Sequence, residues 1–198
     1  MSELDKKTAQ KFLKIPGEAR GVILKTDGEF ILREKGKEGL EKLEKELAAL
    51  GCPIKYREIG AMGFYPLGWR IVSLLAIQKV FGFDDQKFRE MGSAAPKVSL
   101  VIKLFMQYFL SLQSTFGQTS RMWKKHYTIG SLMPVELNEK TKTIILRLQG
   151  FDLHPVFCAY LCGYFAEIIK IVVKKISSCQ ETKCFFRGEK YHEYLFRW

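Results

Sequence analysis

The sequence predicts an α+β fold, with helices packed on an antiparallel sheet. Three observations carry that reading. Helical spacing of apolar residues dominates from 37 to 113. Segments rich in β-formers and joined by short turns gather after residue 126. One long apolar helix, 154–174, is inserted between two strand pairs. Helices grouped first and antiparallel strands after them are the α+β pattern.

Residues 1–18 are polar, end in Pro16-Gly17 and read as a flexible N-terminal extension or a short helix; a single domain is expected over 19–198. Residues 20–34 place two apolar segments around Asp27-Gly28, which signals a hairpin, although a strand followed by a loop fits nearly as well. Residues 37–50 form an amphipathic helix with Leu40, Leu43, Leu47 and Leu50 on one face and Gly51 as its C-terminal cap. A short strand over 53–58 and a turn-rich link over 60–68 lead to a helix from Trp69 to Phe81. Asp84-Asp85 caps a helix over 85–91, and Pro96 opens another that is apolar nearly all round to 113. Strands follow at 126–136 and 142–149, turning at Asn138. The helix 154–174 carries Pro155 in its first turn, where proline is tolerated. Strands at 176–186 and 190–197 close the chain.

The chain has 198 residues, 47% of them apolar, which excludes a disordered protein. Its net charge of +11 is uneven: residues 1–60 hold 13 basic and 11 acidic side chains, residues 61–198 hold 19 and 10. A basic surface favours anionic partners. With no run of five basic residues, the excess reads as a scattered solubilising charge; nucleic acid is not expected, and peripheral membrane contact is not favoured. The N-terminus lacks a secretory signal, and charges interrupt both of the most apolar stretches, 98–113 and 154–173. Five cysteines without an export signal point to a reducing cytoplasm.

Four polar residues near the C-terminus form a set: Cys158, Glu181, Cys184 and His192. If Phe186 pairs with Lys190 around Gly188, Cys184 and His192 lie opposite each other, with Cβ atoms about 4.5–5.5 Å apart. That separation suits a metal ion. Glu181 joins the same face only through a bulge or a strand end, because a regular strand would turn it away. Cys158 lies in the first turns of the long helix. The competing reading is four unrelated residues, since buried Cys is a common small hydrophobe.

These residues also carry a resemblance. His154-Pro-Val-Phe-Cys-Ala-Tyr-Leu-Cys-Gly-Tyr, then Glu181-Thr-Lys-Cys184, then Gly188-Glu-Lys-Tyr-His-Glu-Tyr194, resembles the C-terminal signature of the 4-vinyl reductase domain. That sensor domain shares its fold with TRAPP vesicle-tethering subunits and, more distantly, with haem nitric-oxide-binding domains. Cys158 falls on the family's helical Cys and Gly163-Tyr164 on its Gly-Tyr step. Glu181 and Cys184 match Glu-x-x-Cys, while His192 stands for the last Cys, Glu189 for an Asp and Tyr194 for a Phe. The resemblance implies a structural zinc held by Cys158, Glu181, Cys184 and His192, with Cys162 and Cys179 as competing thiols. It covers about 45 residues closely and the rest only in outline.

Enzyme chemistry finds little support. There are three histidines and no phosphate loop, dinucleotide motif or Gly-x-Ser-x-Gly. His154 reads as a helix cap, and no histidine lies mid-helix on an apolar face as a haem ligand must. Phe105, Met106, Phe109 and Leu112 could line an apolar cavity, or could be plain core. The expectation is a non-catalytic cytoplasmic module that binds a hydrophobic small molecule or lipid. A TRAPP-like adaptor is the alternative. The resemblance, and spare apolar stripes on 37–50 and 69–81, imply a homodimer with a possible protein partner for signalling.

Overall fold

A computed structural model describes residues 4–98, 111–175 and 178–198. Helices and antiparallel sheets make up the described residues, in the α+β arrangement expected. Cα proximity divides the chain into two units, Met1–Lys87 and Phe88–Trp198. The expected helix over 98–113 lies almost wholly outside the described residues, as do Phe105, Met106 and Phe109. Leu112 begins a described helix and is half-buried.

In the first unit, α1 (Lys6–Leu13) occupies the segment read as an extension. Asp5 caps it by accepting a hydrogen bond from the Thr8 N–H, and Ala9 is fully buried. Strand β1 (Glu18–Arg20) pairs antiparallel with β2 (Phe64–Pro66). Between them runs α2 (Gly21–Ala49), broken by a kink at Gly36, whose φ of 69° suits a residue without a Cβ. The expected hairpin at 20–34 is therefore helix. Asp27 and Gly28 read as turn residues, but both face the core. Asp27 meets Arg70, and a Cβ on Gly28 would stand 2.6 Å from the Tyr56 ring. The strand expected at 53–58 is a 3-10 turn, Tyr56–Glu58. Helix α3 (Leu67–Phe81) matches its expectation. Leu40, Leu43, Leu47 and Leu50, with Ile71 and Leu74, are buried inside the chain itself. The stripes thought free to pair two chains are thus already used, which removes their support for a homodimer.

Helix α4 (Asp85–Val98) is longer than expected because Pro96 lies inside it and does not open a new helix. In the second unit, α5 (Leu112–His126) takes in residues expected to start a strand. It is capped by the Ser111 hydroxyl, which accepts from the Ser114 N–H. Strands β3 (Ser131–Asn138) and β4 (Thr143–Gln149) form the expected hairpin. Asn138 Oδ1 accepts from the Lys140 and Thr141 N–H groups and so fixes the turn. Helix α6 (Val156–Val173) then packs on β5 (Ser178–Lys183) and β6 (His192–Arg197). The sheet order is β3-β4-β6-β5, all neighbours antiparallel, with β5 at an edge. By length and composition α6 could cross a membrane, but over half of its residues are buried.

Helices α4 and α6 cross backbone to backbone. A Cβ on Gly163 would stand 2.0 Å from the Arg89 carbonyl oxygen, and one on Gly92 would stand 2.0 Å from that of Tyr160. Gly163→Ala must force the helices apart and is expected to destabilise by about 1–3 kcal/mol, as overpacking does. Gly117 in α5 has open space around its Cβ position. Gly117→Ala should stabilise by roughly 0.4–1 kcal/mol through the unfolded state. Denaturant titration of both variants checks the contrast, and equal shifts would refute the close crossing.

Candidate functional site

Cys158, Glu181, Cys184 and His192 converge. One donor atom from each lies within 4.8 Å of every other. Cys158 is the third residue of α6. Its sulfur is 3.7 Å from Cys184 Sγ and 3.9 Å from His192 Nδ1. His192 Nδ1 is 2.9 Å from Glu181 Oε1.

The local structure explains how residues so separated meet. The β5–β6 register pairs Glu181 with Tyr194 and Lys183 with Glu193, so Thr182 is an extra residue in a bulge. That bulge reverses the alternation and brings Glu181 to the Cys184 face, as the spacing required. Continuing the register past Lys183 and Glu193 sets Cys184 opposite His192. The turn between them is longer than the three-residue loop expected. A 3-10 turn, Phe185–Arg187, follows Cys184, and Gly188 ends it. The Phe186 ring, 5.6 Å from that of His192, walls the cluster together with Phe157 and Leu161.

Cys184 and His192 are buried, while Cys158 and Glu181 are half-buried. Burial, with the negative Glu181 nearby, holds the Cys158 thiol well above its ordinary range. Burial also pushes the Glu181 carboxyl upward. Hydrogen bonds from His192 and Cys158, and the charges of His192 and Arg187, outweigh it and leave the group below its usual range. Arg187 Nη2 donates to Glu181 Oε2 at 3.1 Å and to its carbonyl oxygen at 3.2 Å. Spacing could not reveal Arg187, because only the 3-10 turn folds it back over β5. Two thiols, an imidazole and a carboxylate in this arrangement can hold a metal ion with four protein donors.

Cys162 is not part of the group. Its sulfur donates to the Cys179 carbonyl oxygen at 3.2 Å. His154 caps α6, its Nδ1 accepting from the Val156 N–H at 3.1 Å, as its position suggested. Burial lowers the pKa of that imidazole.

No family model matches the chain, and no curated protein matches it. Solved structures do. A double variant of Tt H-NOX aligns with a TM-score of 0.66 at 16% identity, covering 90% of this chain and 94% of its own. An H-NOX protein from S. oneidensis in its Fe(II)NO state aligns at 0.63 and 12% identity, covering 90% and 98%. An oxygen-binding H-NOX domain related to soluble guanylate cyclases aligns at 0.63 and 14% identity, covering 90% and 94%. At these identities the likeness establishes the fold.

This corrects the resemblance. The matching structures are H-NOX proteins, not 4-vinyl reductase domains or TRAPP subunits. The motif that suggested those families misleads because part of it records packing. Gly163 serves a helix crossing, Gly188 ends a turn, and Tyr194 is fully buried. The expectation of a structural zinc falls with it, since the matching proteins are described through haem, Fe(II)NO and oxygen.

A haem held by histidine does not fit this chain. His192 is engaged with Glu181, and His154 caps a helix. His126 is the last residue of α5, where the rings of Trp123, Tyr127 and Phe151 pack with centroids 4.5–5.0 Å apart. Among the described residues, His126 ends α5 and the other two are engaged at a strand and a helix cap, so none stands mid-helix as a proximal ligand does.

Proposed function

We propose that this chain is a non-catalytic ligand-binding module on the H-NOX fold, with a metal ion held by Cys158, Glu181, Cys184 and His192. The observation that carries the reading is the convergence of the four donors, from one helix and both strands of a hairpin, within 4.8 Å. Thiolate and imidazole select a thiophilic transition-metal ion over a hard cation. Four protein donors close the coordination shell and leave no open position for catalysis. The H-NOX proteins described above carry oxygen or nitric oxide. From them we carry over the class of ligand alone, a small apolar molecule. The five cysteines are free thiols, which suits a reducing cytoplasm.

Cobalt(II) is the probe for the site, because thiolate coordination gives it intense charge-transfer bands. Chelator-stripped protein should develop those bands and saturate near one equivalent per chain. Added haemin should give no histidine-ligated spectrum. Cobalt that binds without thiolate bands, or bands that survive in Cys184→Ser, would overturn the metal assignment. A hexacoordinate bis-histidine or proximal-histidine haem spectrum would overturn the rejection of haem.

A further inference from the structure

The bulge at Thr182 decides which residues of the hairpin face Cys158, so whatever holds the bulge in place helps to build the site. In the β5–β6 register Glu193 stands against two residues, Thr182 and Lys183, where a regular strand would set one. Its side chain lies on the face opposite to its buried neighbours His192 and Tyr194, and it grips both bulge residues. The Thr182 hydroxyl lies 3.2 Å from Glu193 Oε1 and 3.3 Å from the Glu193 carbonyl oxygen, and shares its one proton between them. Lys183 Nζ lies 3.7 Å from the same Oε1 and donates to the Tyr191 hydroxyl at 2.9 Å. Arg147 of β4, paired with Glu193, donates from Nη2 to Glu193 Oε2 at 2.9 Å and sets its guanidinium 4.1 Å from the centre of the Tyr191 ring. The Glu193 side chain is only 12% exposed, so its contacts are shielded more than those of a surface pair.

The place of the bulge matters because β5 is a polar edge strand, where register is weakly specified by side-chain burial. Moved one step toward the turn, the bulge would pair Thr182 with Glu193 and turn Lys183, in place of Cys184, toward His192. Moved away from the turn, it would pair Thr182 with Tyr194 and Glu181 with Leu195, on the outer face. Either shift withdraws one donor.

We propose that Thr182, Glu193 and Arg147 are positioning residues that lock the bulge and so keep Glu181 and Cys184 on one face, beside His192. None of the three supplies a donor atom; they act through the backbone of β5. What the locked face binds rests on the metal reading above, while the lock itself rests on the register and the hydrogen bonds.

Thr182→Val removes the hydroxyl and keeps a β-branched side chain, whereas Thr182→Ser keeps the hydroxyl. Two measurements on the full chain read the outcome. Without metal, cross-strand NMR contacts between the β5 and β6 backbones should place Glu181 opposite Tyr194 and Lys183 opposite Glu193 in the unaltered chain and in Thr182→Ser, with a second register appearing in Thr182→Val. With cobalt(II), Thr182→Val and Glu193→Gln should each lose about 10–100-fold in affinity, the usual cost of losing an outer partner. Their ligand-field spectra at saturation should also change, because a shifted bulge withdraws a carboxylate or a thiolate, and Thr182→Ser should retain both properties. Thr143→Val removes a hydroxyl from β4 outside the bulge and should change neither. A contact that only stabilises the fold would lower the melting temperature of Thr182→Val and leave its register and cobalt spectrum unchanged. That result, or a Thr182→Ser variant that behaves like Thr182→Val, would overturn the proposal. If the unaltered chain gives no thiolate-type cobalt spectrum, the metal reading falls and the metal-free register decides the lock: a second register in Thr182→Val upholds it, and an unshifted one overturns it.

Discussion

Cys184→Ser and His192→Ala should each abolish thiolate-type cobalt binding. Each removes one of four donors and leaves an incomplete shell at a buried position. Arg187→Ala should act differently. Arg187 supplies no donor of its own, but its guanidinium holds Glu181 through both the carboxylate and the carbonyl oxygen. Loss of such an outer partner typically costs about 10–100-fold in metal affinity while binding persists. Binding should also strengthen as pH rises, because the Cys158 thiol, held high by burial, must lose its proton before it can ligate. At a hundredfold excess over Kd the ion stabilises the folded state by about 2.7 kcal/mol. Denaturation of the apo and loaded protein measures this directly. Unchanged affinity in Cys184→Ser and in Arg187→Ala would show that the convergence is core packing alone.

The candidate site was legible in the sequence to an unusual depth because its geometry is local. A hairpin register relates Cys184 to His192, and the period of a strand demands a bulge before Glu181 can join them. The bulge at Thr182 meets that demand. Cys158 needed only α6 to pack on β5 and β6. What the sequence hid is tertiary. Helices α4 and α6 cross backbone to backbone only because Gly92 and Gly163, distant in sequence, leave the space. Arg187 reaches Glu181 only around a 3-10 turn. The family reading went astray for a related reason. Glycines and an aromatic residue placed for packing resemble a signature when read without the fold.

The largest misreading, a hairpin at Asp27-Gly28, leads to the second large effect. Asp27 is a turn former by type, yet in α2 its carboxylate oxygen Oδ2 accepts from Arg70 Nε of α3 at 3.0 Å, with side chains 1% and 0% exposed. Nearby, Tyr56 and Ser73 share a buried hydrogen bond at 2.5 Å. No local pattern announces a polar core of this kind, because the partners are 43 residues apart. Asp27→Ala leaves the Arg70 guanidinium buried without its carboxylate, and Arg70→Ala does the reverse. Each should destabilise by about 3–5 kcal/mol, the usual result of breaking a buried pair. Asp27→Leu combined with Arg70→Met removes both charges while keeping apolar volume, and such replacements are often neutral or stabilising. The double variant should therefore recover most of what either single variant loses. Denaturant titration of the four proteins gives the coupling energy. Single variants that cost less than about 1 kcal/mol, the level of an exposed pair, would contradict the burial of this ion pair. Additive losses in the double variant would instead show that the site cannot repack around apolar side chains.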